Sequence, residues 1–182
     1  MKKFFLLFLL TFLITNSSAS IKDNIILNLN NTINLAFNFE QNINGKIETG
    51  NCLIEYPKKI NCRYNLQNNK ILISNGTSLA IKTKNSFYLY PLEKTPLDLI
   101  LDKKFLLQKI NKLDERIIND KFINFNFSQN GNKINIFFDK VSYDLIGWQT
   151  VDAYQNLSIT YLFSIIKNKE LAKNIFRLPE PN

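Results

Sequence analysis

Two cysteines, Cys52 and Cys62, are the side chains of this 182-residue sequence with the clearest chemical potential. They lie ten positions apart in NCLIEYPKKINCRY, and they are the only two cysteines in the chain. Two thiolates cannot complete a tetrahedral metal site by themselves, and the spacing differs from the CxxC of redox-active pairs. Two structural readings remain, a disulfide or two small apolar residues in the wall of a hairpin.

The rest of the sequence offers no catalytic constellation. It contains no histidine, which excludes histidine general bases and histidine metal ligands. It also lacks a Gly-x-Ser-x-Gly elbow, a glycine-rich phosphate loop and an HExxH motif. The carboxylates of Glu93, Asp114 and Glu115 fit solvated charges in loops or at helix ends better than a glycosidase pair. We therefore predict a protein that is not an enzyme, with no catalytic residues, no metal ligands and no cofactor.

The segment that carries the cysteines predicts a β-hairpin, because apolar and polar residues alternate on both sides of its central Pro-Lys-Lys. A three-residue loop at 56–58 would set Cys52 opposite Cys62, where facing Cβ atoms lie about 4.5–5.5 Å apart, close to disulfide distance. A loop at 57–59 would instead pair Cys52 with Tyr64 and keep the sulfurs apart. An oxidising compartment favours the bridge.

The first twenty residues, MKKFFLLFLLTFLITNSSAS, have the layout of a secretory signal peptide. Two lysines precede an uncharged run from Phe4 to Ile14, and small residues then allow cleavage before Ser20 or Ile21. The run is short for the alternative, an uncleaved membrane anchor, and no cysteine near the cleavage site could be lipidated. We expect residues 1–20 to be a signal peptide and residues 21–182 to form a single domain in the periplasm.

The charge balance points to no particular partner. The chain carries 23 basic and 15 acidic residues, a formal charge of +8 that falls to +6 without the two lysines of the signal peptide. The basic residues are scattered singly among asparagines, whereas a nucleic-acid-binding surface needs them clustered. We expect no nucleic-acid partner and a soluble monomer.

Hydrophobic periodicity predicts a mainly β chain with two short helices. The helices are expected at 22–33 and at 95–110, TPLDLILDKKFLLQKI, with Thr95 as the N-cap and Pro96 at the first helical position. Strands are expected at 35–41, in the hairpin 51–64, in 70–83 around the turn Asn75-Gly76, and at 86–92, 122–129, 133–141, 144–153 and 157–166.

These strands would form one antiparallel sheet with a polar face and an apolar face that must be covered. In 122–129, for example, Ile123, Phe125 and Phe127 would point inward and Asn124 and Asn126 outward. If the sheet curls and the helices lie across its concave side, the fold is an unclosed, curved antiparallel β-barrel, a half-barrel with short helices lidding a hydrophobic cavity. The aromatic content of 13% could fill a core or line a cavity for an apolar ligand.

Several short motifs follow one another in a characteristic order: FNFEQ, LISNG, YPLEKTPLDLIL, LIGWQTVDA and IFRLPEP. Their order over residues 33–181 resembles the periplasmic outer-membrane lipoprotein carrier protein family, LolA. The resemblance implies the half-barrel fold and a chaperone function. Such a protein binds the acyl chains of lipoproteins released by an inner-membrane ABC transporter and delivers them to an outer-membrane lipoprotein receptor.

This resemblance places the lipid-binding residues on the concave face and on the second helix. On that helix Leu97, Ile100 and Leu101 share one side, while Asp98 and Asp102 are expected to point outward. The expected lipid-binding residues are Phe37, Phe39, Ile54, Tyr56, Ile60, Leu97, Ile100, Leu101, Phe125, Phe127 and Trp148.

The sequence departs from the family pattern at several positions. Tyr56 stands where family members often carry an arginine associated with holding the lid shut, so we expect a weaker latch, because a phenol offers one donor and a guanidinium five. The family's Asp-x-x-Gly after the Trp148 strand is Asp-Ala-Tyr-Gln at 152–155. Two alternatives to the carrier remain open, an outer-membrane lipoprotein receptor-like protein and a regulatory half-barrel that binds lipid.

Overall fold

The computed structural model describes residues 20–65, 69–151 and 156–181. Residues 1–19, most of the predicted signal peptide, and residues 152–155 lie outside the described part. Within that part, one antiparallel sheet of eleven strands has the order β6-β5-β4-β3-β2-β1-β11-β10-β9-β8-β7. The strands are β1 (Asn34–Ile43), β2 (Lys46–Glu55), β3 (Lys59–Tyr64), β4 (Ile71–Asn75), β5 (Ser78–Lys82), β6 (Phe87–Pro91), β7 (Arg116–Ile118), β8 (Phe122–Gln129), β9 (Asn132–Asp139), β10 (Leu145–Val151) and β11 (Leu157–Lys167).

The sheet is unclosed because β6 and β7 form two edges that do not pair with each other. Strands β1 to β6 and β7 to β10 each follow one another as neighbours, and β11 returns to pair with both β1 and β10. One apolar face is buried, and side chains on it alternate with polar ones as predicted. In β8, Ile123, Phe125 and Phe127 belong to the core. The mainly β half-barrel expected from the sequence is confirmed.

One prediction made from the alternation in β8 is wrong. Asn124 was expected to face solvent, yet it is only 1% exposed. Its Nδ2 donates to the carbonyl of Ile136 at 3.2 Å, while its Oδ1 has no hydrogen-bond partner in the described part of the chain. The polar face of the sheet is therefore not uniformly solvated.

Three α-helices cover the concave face, α1 (Ile21–Asn30), α2 (Leu97–Ile100) and α3 (Lys103–Lys112), and a 3₁₀ helix (Leu92–Lys94) precedes α2. α1 begins with a capping box, in which Ser20 Oγ accepts from the Asp23 N–H at 3.1 Å and Asp23 accepts from the Ser20 N–H at 3.1 Å. It ends earlier than predicted, so Ile33 lies outside it and is 60% exposed.

The predicted single helix at 95–110 is wrong, because the chain breaks after Ile100. The side chain of Asp102 accepts from the Phe105 N–H at 3.0 Å and caps a new helix, α3. Thr95 is not the N-cap of α2, a position that Pro96 occupies. Thr95 is instead the C-cap of the 3₁₀ helix, and its hydroxyl donates to the Leu92 carbonyl at 2.8 Å. α2 is consequently only four residues long.

Candidate functional site

The concave face of the sheet and the helices on it form one continuous apolar cluster. Ten of the eleven side chains predicted to bind lipid are buried in it, and Leu97 packs against it half-buried. The rings meet edge to face: Phe37 and Trp148 have centroids 6.4 Å apart, and Phe125 and Phe138 are 6.0 Å apart. The structure thus brings the predicted set together in one apolar cluster.

The helical cover adds apolar residues that the prediction did not include. Leu106 and Ile110 of α3 are fully or almost fully buried, and the Phe105 ring lies 5.7 Å from the Phe127 ring, edge to face. The i, i+4 spacing of Leu106 and Ile110 was visible in the sequence, and it could have identified these two residues. Ile100 and Leu101 of the α2 region are both 0% exposed. The cover therefore completes the apolar interior.

Little empty space remains inside this interior. A cavity of about 30 Å³ lies among Phe39, Ile60, Leu97 and Trp148, beside the half-buried Tyr64. Pockets that hold drug-sized ligands measure roughly 300–1,000 Å³. This cavity is therefore at least ten times smaller than such a pocket.

The tip of the β2–β3 hairpin attaches α2 to the sheet. Lys58 Nζ lies 2.8 Å from the Asp98 carboxylate and 3.6 Å from that of Asp102, and the Lys58 N–H donates to the Leu101 carbonyl at 2.9 Å. The hydrogen bond to Asp98 is the main reason that the pKa of Lys58 is raised, against a smaller opposing effect of burial. We call this group the hairpin latch. It corrects the prediction that both aspartates point outward.

Tyr56, two residues before Lys58, does not act as the predicted hydrogen-bonding latch. Its hydroxyl is buried and has no hydrogen-bond partner in the described part of the chain, and burial raises the pKa of the phenol. The ring packs in the core, with Lys103 Nζ 5.7 Å from its centroid. The ammonium group of Lys103 also donates to the Thr32 carbonyl at 2.9 Å, which attaches the start of α3 to the residues before β1.

A second set of polar side chains attaches α1 to the sheet. The Asp144 carboxylate accepts from Asn28 Nδ2 at 2.9 Å and from Lys167 Nζ at 2.6 Å. Burial alone would raise the pKa of Asp144, but the hydrogen bonds from Lys167, Asn28 and Ser142 outweigh it, so the pKa is lowered. We call Asp144 with Asn28 and Lys167 the α1 latch.

One end of the concave face is polar. Gln41 accepts from the Tyr64 hydroxyl at 3.2 Å and donates to the Thr160 hydroxyl at 3.0 Å. Next to it the nearly buried Glu48 pairs with Lys70 Nζ at 2.5 Å, and hydrogen bonds from its lysine partners lower its pKa although burial opposes them. These groups satisfy one another, and Gln41, Tyr64 and Thr160 also line the small interior cavity, which is therefore polar at this end.

The cysteines lie at the base of the hairpin that carries the hairpin latch. The strands pair Glu55 with Lys59 and Cys52 with Cys62, so the loop has three residues, 56–58. The structure joins the two sulfurs in a disulfide, with the Cα atoms 4.1 Å apart. Both half-cystines are buried on the concave side. The covalent link therefore lies inside the wall of the half-barrel.

The C-terminal segment crosses the convex face of the sheet, which the sequence did not indicate. Asn61 Nδ2 donates to the Ile175 carbonyl at 2.6 Å, and Lys82 Nζ donates to the Glu180 carbonyl at 2.8 Å. A groove of about 530 Å³ lies between this segment and β1 to β3, open to solvent and lined by polar and apolar side chains alike. This groove on the convex face is thus larger than the cavity of about 30 Å³ inside the half-barrel.

Two negative findings apply to the described residues. No group of three or more Cys, Asp or Glu side chains there could bind a metal ion. Among the same residues, no helix has both the length and the apolar character needed to span a membrane.

The structure is thus an unclosed antiparallel half-barrel whose apolar concave face is covered by short helices. The sequence matches the family model described as outer membrane lipoprotein carrier protein LolA over residues 30–179. The chain belongs to the LolA family, a family of non-enzymatic carriers.

Solved structures share the fold at low sequence identity. A putative outer membrane lipoprotein-sorting protein domain from Vibrio parahaemolyticus superposes with a TM-score of 0.50 at 8% identity, covering 86% of this chain and 94% of that one. MucB in the Pseudomonas aeruginosa MucA/MucB complex gives 0.50 at 9% identity, covering 88% of this chain. The chain spans 62% of the length of that relative. No curated protein matches the sequence significantly.

Proposed function

We propose that this protein is a periplasmic chaperone that binds the acyl chains of lipoproteins and carries them from the inner to the outer membrane. It would receive them from a lipoprotein-releasing ABC transporter and pass them to an outer-membrane receptor. Family membership supports a carrier of this kind. One observation carries the proposal further: α2, which closes the apolar face, is four residues long and has no side-chain cap.

The binding step follows from the free energies of exposure and burial. Moving α2 outward exposes the Ile100 and Leu101 side chains, which costs about 1.5–3 kcal/mol for each. An acyl chain with about fourteen methylenes gains about 0.8 kcal/mol for each one buried, or about 11 kcal/mol in all. Acyl chains can therefore displace α2, whereas water cannot.

Release requires the reverse exchange. When the acyl chains leave, Ile100 and Leu101 return to the interior and the hairpin latch re-forms between Lys58 and Asp98. The closed state needs no ligand to be stable, so it competes with the cargo at the moment of transfer. The family relationship suggests an extracytoplasmic location, which suits such a carrier because acyl chains cannot cross an aqueous compartment uncovered.

The test is isolation of the processed protein from a periplasmic extract, followed by extraction with organic solvent and mass spectrometry of the extract. We expect acylated polypeptides to co-purify with the wild-type protein and to be absent from an Ile100→Asp variant that is still folded by circular dichroism. Wild-type protein that retains no acylated polypeptide, even when its own lipoprotein-releasing system is present, contradicts the proposal.

A further inference from the structure

The two edges of the sheet differ in how well they are protected against pairing with another strand. β7 has three residues and begins with a charged one, Arg116. β6, FYLYP, has five residues, no charged side chain and a proline only at its end. Edge strands usually carry charges, prolines or bulges that prevent pairing. β6 is the edge that lacks this protection.

The backbone of β6 offers hydrogen-bonding groups to the outside. The Thr83 N–H donates to the Ser86 carbonyl and the Leu92 N–H to the Thr77 carbonyl, each at 2.9 Å. In an antiparallel ladder, hydrogen-bonded and non-hydrogen-bonded pairs alternate. Tyr88 and Tyr90 are therefore bonded to β5. Phe87, Leu89 and Pro91 occupy the non-bonded pairs, whose free backbone groups point away from β5 to the open edge.

The side chains around this edge are apolar and accessible. Tyr88 and Tyr90 are 51% and 43% exposed, and their rings stack with centroids 6.4 Å apart. Their partners in β5 are Ile81 and Leu79, and Leu79 belongs to the core, so both tyrosines lie on the concave side of the sheet. Leu89, on the opposite face, is 54% exposed.

We propose that the β6 edge binds an extended polypeptide segment as an additional strand, and that this segment is the tether following the acylated residue of the lipoprotein cargo. The proposal rests on the proposed function for the identity of the cargo. Main-chain pairing supplies affinity without regard to sequence, while alternate side chains of the tether contact the tyrosine rings. A carrier with many different clients needs recognition of this kind.

The position of β6 fits this role. Pro91 at its end is followed by Leu92, which is 1% exposed, and by the 3₁₀ helix that leads into α2. A tether paired with Phe87 and Leu89 would lie along the rim beside α2, and the acyl chains at its end would enter where Leu97 borders the interior. One client would thus occupy both sites.

A second copy of this chain is a less suitable occupant. Residues flanking β6 carry Lys82, Lys84 and Lys94 against Glu93, so edge-to-edge pairing of two copies would bring like charges together. Stable protein interfaces bury about 1,200–2,000 Å², and a five-residue edge is too short to supply such an area. The net positive charge of these four residues favours a tether that is neutral or acidic.

The test compares two probes on three proteins. One probe is a synthetic triacylated cysteine followed by a ten-residue unstructured tether, and the other is the triacylated cysteine without the tether. The proteins are wild type, Leu89→Pro, which removes the outward N–H without affecting the bonds to β5, and the matched control Leu89→Ala, which retains the N–H. Circular dichroism confirms that each is folded.

We expect wild type to bind the tethered probe about tenfold more tightly than the short one. Leu89→Pro should lose most of this difference while its affinity for the short probe stays unchanged, and Leu89→Ala should retain most of it. Equal affinities of wild type for the two probes, or an undiminished difference in Leu89→Pro, would overturn the proposal and leave the proposed function intact. If wild type binds neither probe, the proposed function fails as well. A dimer abolished by Leu89→Pro would assign the edge to a second copy and also overturn the proposal.

Discussion

The helical cover is attached to the sheet at two places that differ in what they attach. The α1 latch accompanies a helix of ten residues with a capping box and with Ile25 completely buried. The hairpin latch accompanies α2, which has four residues and no side-chain cap. Both helices bury core residues, but only α1 also has a side-chain cap, so we expect α1 to depend little on its ion pair and α2 to depend on Lys58. We therefore expect the cover to have a fixed part, α1, and a releasable part, α2.

The largest expected effect comes from placing a carboxylate on the buried side of each helix. Ile25 and Ile100 are both 0% exposed, so they form a matched pair. We expect Ile25→Asp to lower the free energy of unfolding by about 3–5 kcal/mol, because α1 cannot leave the core. Ile100→Asp should cost less, because α2 can swing into solvent. The lost burial of Ile100 and Leu101 is then partly offset by the conformational entropy that the released residues regain, and lipoprotein retention should be abolished.

Denaturant unfolding followed by circular dichroism measures both variants, and co-purification of acylated polypeptide measures retention. If Ile100→Asp destabilises the protein as much as Ile25→Asp, or if cargo retention survives in it, α2 is part of the fixed core. The distinction between the two parts of the cover would then be wrong.

The next effect concerns the support of the hairpin latch. Replacing Cys52 and Cys62 by serine together opens a loop with a sequence separation of ten, which should lower the free energy of unfolding by about 2–3 kcal/mol in the chain-entropy model. We expect cargo retention to persist, because the strand pairing that presents Lys58 remains. Mass spectrometry of alkylated, unreduced wild-type protein tests the bond itself, and two alkylated thiols would show that it is not formed in the periplasm.

A smaller effect separates the two latches directly. Lys58→Met keeps the length of the side chain and removes its charge from Asp98 and Asp102. We expect it to slow release of bound lipoprotein up to about fivefold, because the closed state that competes with the cargo loses about 1 kcal/mol, the usual upper value for a partly exposed ion pair. The matched variant Lys167→Met, in the α1 latch, should leave the release rate unchanged. Stopped-flow measurement with a fluorescent lipopeptide checks both variants, and equal slowing of release in the two would contradict a fixed α1.

The smallest expected effect is that of pH. The pKa of Lys58 is raised above its ordinary value of 10.5, so its contribution is fully present below that pH and is lost as the pH rises through the folded-state pKa. The pKa of Asp144 is lowered below 3.8, so its contribution is present above that pH and is lost as the pH falls through the folded-state value. Cargo release should therefore be constant between about pH 5 and pH 9. A release rate that changes severalfold within this range would show that another group controls the cover.

The strands were predictable because burial of one face imposes a period of two. Ile123, Phe125 and Phe127 in β8 were assigned to the buried face from alternation alone, and all three are in the core. The loop at 56–58 was one of two registers left open by the pattern, and pairing with β3 selects it. Local sequence thus determined most of the strands and most of their faces, but it did not predict the short β7.

The contacts that attach the cover were not predictable in the same way. Asp102 was assigned to the outer face of one long helix, although an aspartate followed by a new apolar period is also an N-cap signal. The pairing of Lys58 with Asp98, and of Asn28 with Asp144, joins residues far apart in the sequence. No local pattern marks such pairs, because they depend on how the curved sheet brings its hairpins under the helices.

The order of strands in the sheet has a consequence for the synthesis of the protein. Neighbouring strands from β1 to β6 and from β7 to β10 can pair by local hairpins as the chain emerges. The pairing of β1 with β11, the central seam of the sheet, is different. It joins Leu35 to Lys167, so it cannot form until almost the whole chain has been synthesised. Contacts between such distant residues form slowly and leave apolar surfaces exposed in the meantime. Until that seam closes, the two half-sheets expose the apolar face that the folded protein buries.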